Sequence, residues 1–285
     1  MVTTIPEVRD AVRRARQAGR TIGLVPTMGA LHDGHTSLIK AAKADGHFTV
    51  VSIYVNPTQF GPSEDFQQYP RTLDADREAC QAAGGDSIFA PQDAEIYPAG
   101  DQTRVRPGPL AESLCGAVRP GHFEGVCTVV AKLFNIVQPD AAYFGQKDAQ
   151  QAVILRRMVA DLCLPVRIEV CPLVRESDGL ALSSRNARLS PEQRGQAICL
   201  YTALCLGRDR LVAGEQSVGG TIAAMREVIA EAGPNIDVDY LSIVDPETLA
   251  PITAPHGRVM LAGAVRIGET RLIDNMLVDL PANGA

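Results

Sequence analysis

Two histidines stand three residues apart in the segment PTMGALHDGH, residues 26–35, which follows an apolar run typical of a buried strand. His32 and His35 could bind a metal ion, contact a phosphate, or be ordinary core or helix-capping residues. A zinc site would need a third protein ligand, and the sequence has no HExxH or CxxC pattern to supply one. Gly29 and Gly34 let the backbone approach a ligand closely, and the N–H groups of the next helix point to the same place. We therefore favour a phosphate-directed pair, while the other two interpretations stay open.

The spacing of this segment is that of a phosphate-binding loop with one change. Gly29, four residues, Gly34, His35 and Thr36 follow the pattern, but histidine stands where that pattern has lysine. A lysine brings a permanent charge to the β- and γ-phosphates, whereas an imidazole is a shorter donor that suits one phosphate oxygen. The segment therefore predicts a turn that cradles phosphates, with His35 as a hydrogen-bond donor.

Amide side chains follow the second predicted strand. The segment VNPTQF places Asn56 and Gln59 at the strand end. Amides at that position suit a neutral or hydroxylated substrate. An Asn-Pro turn explains Asn56 equally well, so for that residue a structural and a substrate-binding role are both open.

The segment FGQKDAQQ, residues 144–151, stands at another strand-to-helix turn. Gly145 occupies the turn, Lys147 offers a point charge to phosphate, and Asp148 is a good N-cap residue. Gln151 lies at the end of the first helical turn and is predicted to face the same cleft as Lys147. Alone this pattern is a capped helix with a surface lysine, but together with the first segment it predicts the second half of a nucleotide site.

A fourth polar segment, LALSSRNARLS, follows the fifth predicted strand. Ser183 and Ser184 lack the GxSxG context of a nucleophilic serine. With Arg185 they form a polar, positively charged loop, which favours hydroxyl and guanidinium contacts to phosphates.

Strands and helices alternate through the first part of the chain, which predicts an α/β fold with a Rossmann-like, doubly wound parallel sheet. After about residue 176 the pattern changes to helices followed by three consecutive strands, which predicts a second, smaller α+β domain. We therefore divide the chain into residues 1–176, for nucleotide and substrate binding, and residues 177–285, which close over the site. The predicted strands of the first domain are 21–27, 48–56, 86–91, 141–145 and 166–174, and the predicted helices are 5–18, 36–46, 73–85, 125–138 and 148–163. In the second domain one helix is predicted over 190–214, capped by Ser190 and Gln193, and another over 217–232.

The composition restricts the partners and the compartment. The 285 residues carry a net charge of −6, with a pI of about 5.4, which argues against a nucleic-acid partner. No signal peptide and no membrane-length apolar segment is found, and the seven cysteines are scattered without a paired motif. These features predict a cytoplasmic protein with reduced thiols and no membrane or metal site.

With these segments in place, the sequence resembles the pantothenate synthetase (pantoate–β-alanine ligase) family. The resemblance covers nearly the whole chain and rests on four segments in family order: PTMGALHDGH, VVSIYVNPTQFGPSEDFQQYPRTLDAD, LCGAVRPGHFEGVCTVVAKLFNIVQPDAAYFGQKDAQQ and LSSRN. MGALHDGH is similar to the HIGH signature of the wider nucleotidylyltransferase superfamily.

The resemblance implies a two-step reaction in which ATP and pantoate form pantoyl adenylate and pyrophosphate, and β-alanine then displaces AMP. It implies ATP as a substrate, Mg²⁺ bound through the ATP phosphates, and a homodimer. His35, Lys147 and Arg185 would be catalytic, and Gln59, Gln151 and Asn56 would bind pantoate and β-alanine. The implied ATP contacts are Met28, Gly29, Ala30, Leu31, His32, Asp33, Gly34, His35, Gly145, Gln146, Lys147, Asp148, Val174, Leu182, Ser183, Ser184 and Arg185. Gln146 departs from the family, in which glutamate is common, so we expect a change in local charge there.

Water must be kept from an acyl adenylate, so we expect the polar loop 61–72 and the second domain to close over the site. Three alternatives share some of these features: an adenylyltransferase acting on a phosphorylated precursor, a tRNA synthetase, and a silent ATP-binding sensor. The first should need more basic residues, the second conflicts with an acidic chain of this length, and the third with intact His35, Lys147 and Arg185.

Overall fold

Five parallel strands form the main sheet of the computed structural model, which describes residues 1–62 and 64–281. Their spatial order is β3-β2-β1-β4-β5, so the strand order changes direction between β1 and β4. The strands are β1 (Ile22–Thr27), β2 (Phe48–Ile53), β3 (Ser87–Phe89), β4 (Ala141–Gly145) and β5 (Arg167–Cys171). This arrangement confirms the predicted doubly wound α/β fold.

Helices cover both faces of this sheet. They are α1 (Ile5–Gln17), α2 (Asp33–Ala44), α3 (Leu73–Ala82), the single turns α4 (Asp93–Ile96) and α5 (Cys115–Val118), α6 (His122–Val137) and α7 (Ala149–Asp161). Successive strand residues point to opposite faces: Leu24 packs with α1, α6 and α7, whereas Val25 packs with α2 and α3. Because both faces are buried, the strands are almost continuously apolar, as the sequence pattern required.

The second unit has an antiparallel sheet in the order β6-β7-β8, packed against two helices. Its elements are α8 (Pro191–Gln196), α9 (Cys199–Val212), α10 (Val218–Glu231), β6 (Ile236–Val244), β7 (Arg258–Ile267) and β8 (Thr270–Asp279). The predicted α+β character is confirmed, and the two units have separate apolar cores. The proposed boundary at residues 176 and 177 stays a prediction, and residues 282–285 of the second domain lie outside the described residues.

Several predicted bounds lie up to three residues from the observed ones: α3 ends at Ala82, α6 begins at His122, β2 ends at Ile53 and β5 ends at Cys171. Two further differences in helices have a local cause. The segment 190–214 is divided by a turn at residues 197–198, close to Gly195, whose type is a weak helix former. Its start is as predicted, since Ser190 and Gln193 form a capping box. Helix α2 begins at Asp33, three residues before the predicted start at residue 36, because both histidines take part in its cap. In the described part of the chain, no helix is long and apolar enough to cross a membrane.

Candidate active site

Three adjoining cavities open at the carboxyl ends of β1 and β4, where the strand order changes direction and ligands of such sheets bind. Asp148 and Gln151 line all three. We call them the central cavity, with Met28, His35, Gln59 and Val130 in its lining; the helix-end cavity, with His32, Gly34, Gly145 and Val174; and the interdomain cavity, with Arg119, Lys147, Ser183 and Tyr240.

The two histidines form a reciprocal cap at the start of α2. Nδ1 of His32 accepts from the N–H of Gly34 at 3.2 Å, and Nδ1 of His35 accepts from the N–H of His32 at 3.4 Å. Since a backbone N–H only donates, we assign the proton of each neutral ring to Nε2. Capping therefore uses one nitrogen of each ring and leaves an Nε2–H donor beside the cavities. The capping and phosphate-directed interpretations are compatible.

Both rings are neutral at neutral pH. Burial lowers the pKa of His32 to about 4 and that of His35 to about 3, and the nearby Lys147 ammonium contributes to both shifts. His35 thus offers a hydrogen bond without a charge, and the fixed positive charge must come from other residues. Among residues 1–62 and 64–281, no group of three His, Cys, Asp or Glu side chains has metal-binding geometry.

A buried carboxylate holds the turn before α2. Asp76 of α3 accepts from the N–H groups of Ala30 at 3.1 Å and Leu31 at 2.8 Å. The turn needs this anchor because Gly29 and Ala30 both have positive φ, 82° and 50°. Sequence reasoning missed Asp76, since an acidic residue in the first turn of a helix is ordinarily explained by the helix dipole.

A 3-10 turn, Gln146–Asp148, connects β4 to α7. The side chain of Asn275 on β8 donates to the carbonyls of Gln146 and Lys147, at 2.9 and 3.1 Å, so the second unit holds this turn. Burial lowers the pKa of Lys147. Asp148 occupies the N-cap position of α7, as predicted, but its side chain makes no capping hydrogen bond and lies at the cavities instead.

Gln146 contacts the second unit and does not line the three cavities. Its amide Nε2 donates to Oδ1 of Asn275 at 3.2 Å. The exchange of the common glutamate for glutamine therefore affects the contact between the two units. The ATP contact implied for Gln146 stays a prediction, and the expected change in local charge would fall at the contact between the two units.

Asn56 positions Gln59. The buried Asn56 amide donates to Oε1 of Gln59 at 3.1 Å and to the carbonyl of Gly125 at 3.2 Å, and its Oδ1 accepts from the Tyr97 hydroxyl at 2.9 Å. Because its amide is saturated by protein partners, the structural interpretation of Asn56 is the one that the geometry favours. Gln59 donates to the sulfur of Met28 at 3.2 Å and lines the central cavity.

Helix α6 approaches the Gln59 turn closely at Gly125. A Cβ atom built on Gly125 would lie 2.3 Å from the carbonyl oxygen of Thr58. This contact requires glycine, because any side chain would have to displace the backbone.

The serine–arginine segment lies across the cavities from α2. Ser183 caps the 3-10 turn Ser184–Arg188 by accepting from the N–H of Arg185 at 3.3 Å. Arg185 lines the central and interdomain cavities, and the Ser184 hydroxyl is 3.3 Å from that of Tyr69.

Most of the predicted site residues come together. The ones that line at least one of the three cavities are Met28, His32, Gly34, His35, Asn56, Gln59, Gly145, Lys147, Asp148, Gln151, Val174, Leu182, Ser183 and Arg185. The ones that do not are Gly29, Ala30, Leu31, Asp33, Gln146 and Ser184. Arg119 and His122 line both the central and the interdomain cavity. Sequence reasoning missed them because they follow no predicted strand and stand in an irregular segment.

Comparisons with known proteins place the chain in a family. A family model described as pantoate-beta-alanine ligase matches residues 1–277. Pantothenate synthetase of Moorella thermoacetica is 55% identical over 280 residues, covering 98% of this chain and 99% of the relative, and that of Geobacter sulfurreducens is 49% identical over 278 residues, covering 98% of each.

Solved structures agree with the sequence relatives. The pantoate-beta-alanine enzyme of Thermus thermophilus superimposes with a TM-score of 0.92 at 50% identity, covering 96% of this chain and 98% of that one. The ligase of Francisella tularensis, complexed with beta-gamma ATP and beta-alanine, gives 0.79 at 35% identity, covering 97% and 96%. On these matches, the chain belongs to the pantoate–β-alanine ligase family.

Proposed function

We propose that this chain condenses pantoate with β-alanine in an ATP-dependent reaction that proceeds through pantoyl adenylate. One observation carries the assignment beyond family membership: the central cavity brings two neutral amides, Gln59 and Gln151, together with the donors His35 and Arg185. Amides bind the hydroxyls and carboxylate of a small acid without adding fixed charge, and the donors suit phosphate.

In the first step, a pantoate carboxylate oxygen attacks the α-phosphorus of ATP. The new P–O bond forms as the bond to the bridging oxygen breaks, and pyrophosphate leaves with the bonding electrons. Negative charge accumulates on phosphoryl oxygens, and donors fixed in advance at those atoms are the usual main source of rate. We assign this role to the Nε2–H of His35, the ammonium of Lys147 and the guanidinium of Arg185.

The cavity wall suits the rest of pantoate. Val126, Val130, Leu133 and Phe144 form an apolar part of the wall of the central cavity. A branched aliphatic acid would place its methyl groups against this wall and its polar groups toward Gln59, so that burial and hydrogen bonding act together.

A phosphate-bound Mg²⁺ would add positive charge to the triphosphate. Mg²⁺ in nucleotide sites commonly takes one or two carboxylates besides the phosphates. The residues present fit this expectation, because the Asp148 carboxylate makes no helix-capping hydrogen bond and lies where the three cavities meet.

In the second step, the amine of β-alanine attacks the carbonyl carbon of the adenylate. The C–N bond forms, the C–O bond to AMP breaks, and the amine loses its protons to solvent or buffer. The Francisella tularensis relative was crystallised with β-alanine, which supports this assignment of the acceptor. By family resemblance we also infer a homodimer in the cytoplasm, which light scattering of the purified protein and fractionation of cells would test.

The experiment that tests the function is exchange of labelled pyrophosphate into ATP with β-alanine absent. We expect exchange that requires pantoate, because formation of the adenylate is reversible and needs only the first two substrates. Tight ATP binding without exchange would instead assign the chain to an ATP-binding sensor or to a different acceptor.

A further inference from the structure

Two adjacent acidic residues in loop 61–72 each hold an arginine that lines the cavities. Asp65 accepts from Nε and Nη2 of Arg185 at 2.9 and 3.0 Å, and Glu64 accepts from Nε and Nη2 of Arg119 at 2.7 and 2.6 Å. Both pairs are fork-to-fork, the geometry in which a carboxylate fixes the plane of a guanidinium most firmly. Ser63 of this loop lies outside the described residues.

The remaining nitrogen of Arg185 faces away from its acidic partner. Nε and Nη2 of Arg185 donate to Asp65, so both N–H donors of Nη1 remain, and in the described part of the chain no protein group accepts from Nη1. Since Arg185 lines the central and interdomain cavities, an anion there is the partner that Nη1 suits. Asp65 is itself fixed by Arg188, whose Nη1 donates to it at 2.6 Å.

The other pair leads to the backbone of Gln59, whose side chain lines the central cavity. Nη1 of Arg119 lies 2.9 Å from Nε2 of His122, and Nδ1 of His122 lies 2.8 Å from the backbone carbonyl oxygen of Gln59. An arginine only donates and a carbonyl only accepts, so the His122 proton is on Nδ1. Burial, with Arg119 adding to it, lowers the pKa of His122 to about 4, which keeps this neutral tautomer at neutral pH. Glu64 therefore connects to the backbone of Gln59 through Arg119, both by way of His122 and by the Nη2 of Arg119, which donates to the same carbonyl at 3.4 Å.

Both pairs are shielded enough to be more than surface contacts. The side chains of Arg119 and Glu64 are 12% and 23% exposed, and those of Arg185 and Asp65 are 26% and 19% exposed. Burial alone would raise the pKa of each carboxyl, but the paired arginine outweighs it and lowers the pKa of both Glu64 and Asp65. The carboxylates are thus charged whenever the enzyme works.

We propose that Glu64 and Asp65 are positioning residues with separate duties: Asp65 orients Arg185 for the ATP phosphates, and Glu64 orients Gln59 for pantoate through Arg119 and His122. This inference rests on the proposed function. One loop thus serves both substrates, because Asp65 affects the binding of ATP and the neighbouring Glu64 affects the binding of pantoate. Neither carboxylate contacts a substrate in this scheme, because each is already saturated by its arginine.

The test compares Asp65→Asn with Glu64→Gln, two nearly isosteric changes that remove one charge each. In pantoate-dependent pyrophosphate exchange we expect Asp65→Asn to raise the KM for ATP about tenfold, with the KM for pantoate within about twofold of wild type. Glu64→Gln should show the reverse. Asp161→Asn is the matched control, since Asp161 pairs with Arg157 on the exposed surface of α7 and should change neither constant.

Loss of structure alone cannot produce opposite shifts in two neighbouring variants. If the KM values for ATP and pantoate rise together in each variant, or neither KM changes, the assignment of separate roles to Glu64 and Asp65 is wrong. Should either variant fail to fold, Asp65→Glu and Glu64→Asp keep the charge and move the fork, and the same opposite shifts are expected. Calorimetric titration of Asp65→Asn with ATP gives a second readout: weaker ATP binding supports the proposal and unchanged binding overturns it, even if wild type shows no exchange and the proposed function itself fails.

Discussion

Replacing His35 with alanine tests the central assignment of the site. The residue has two separable tasks, since its Nδ1 accepts the N–H of His32 and its Nε2–H remains for a phosphoryl oxygen. Alanine removes both. Loss of one preorganised donor to a charged transition state costs about 100-fold in rate, or about 2.7 kcal/mol. The capping contact is long, at 3.4 Å, so its loss should cost only ~0.5 kcal/mol, or ~1–2 °C in Tm.

His35→Glu separates the two tasks. Glutamate at the third helical position is the residue that capping boxes prefer, so it can accept the His32 N–H and keep the stability of wild type. It has no donor when ionised, and its negative charge would oppose the triphosphate. We therefore expect exchange in His35→Glu to be at least as slow as in His35→Ala, although its Tm is the higher of the two.

The assays are pantoate-dependent pyrophosphate exchange and thermal unfolding on the same preparations. We expect wild type to have the highest exchange rate and the highest Tm. Of the two variants, His35→Ala should exchange at least as fast as His35→Glu, whereas His35→Glu should have the higher Tm. If His35→Ala exchanges at nearly the wild-type rate, the Nε2–H donor has no part in the chemistry. If His35→Glu is as unstable as the alanine variant, the capping argument is wrong.

Three further outcomes follow from the geometry. Lys147→Met removes a charge at nearly constant volume, so exchange should fall ~100-fold or more with little change in Tm, and normal exchange would exclude Lys147 from phosphate contact. Asp76→Asn places an amide donor against the backbone N–H donors of the 28–31 turn, so urea denaturation should show a free energy of unfolding lower by ~1–3 kcal/mol. Asp74→Asn, on the exposed side of the same helix, should leave the free energy of unfolding unchanged. The folded pKa values of His32 and His35 lie below the ordinary value of 6.5, so between the folded and unfolded pKa values the unfolded chain binds more protons than the folded chain. The contribution of these two residues to the free energy of unfolding should therefore be fully present above ~pH 6.5 and decrease toward ~pH 4, as urea midpoints would show. The exchange rate should show no titration of His35 near ~pH 6.5.

Local patterns in the sequence were sufficient to predict the sheet and to group most of the residues that line the candidate site. Apolar runs such as FTVVSI predicted strands buried on both faces, and polar residues directly after these runs had to meet at one sheet edge. That is why Gln59, Lys147 and Arg185 could be grouped from their positions in the sequence alone.

What the sequence could not predict depends on contacts between distant segments. Asp76 resembles any acidic residue at a helix start until its carboxylate is seen 2.8 Å from the N–H of Leu31. Glu64 and Asp65 resemble a solvated loop until two arginines from elsewhere in the chain meet them. The start of α2 was misplaced for a related reason: histidine is an unusual capping residue, so its part in the cap is visible only in three dimensions.

The glycine behind the Gln59 turn has a consequence for how the family can change its substrate. Gly125 belongs to α6 and lies outside the central cavity, yet its missing side chain is what lets the Thr58 carbonyl come so close. A methyl group there would force the Thr58 carbonyl, and with it the turn that carries Gln59, to move. Under the proposed function, the shape of the acid pocket can thus change through a residue that does not line it, and searches confined to lining residues would overlook Gly125.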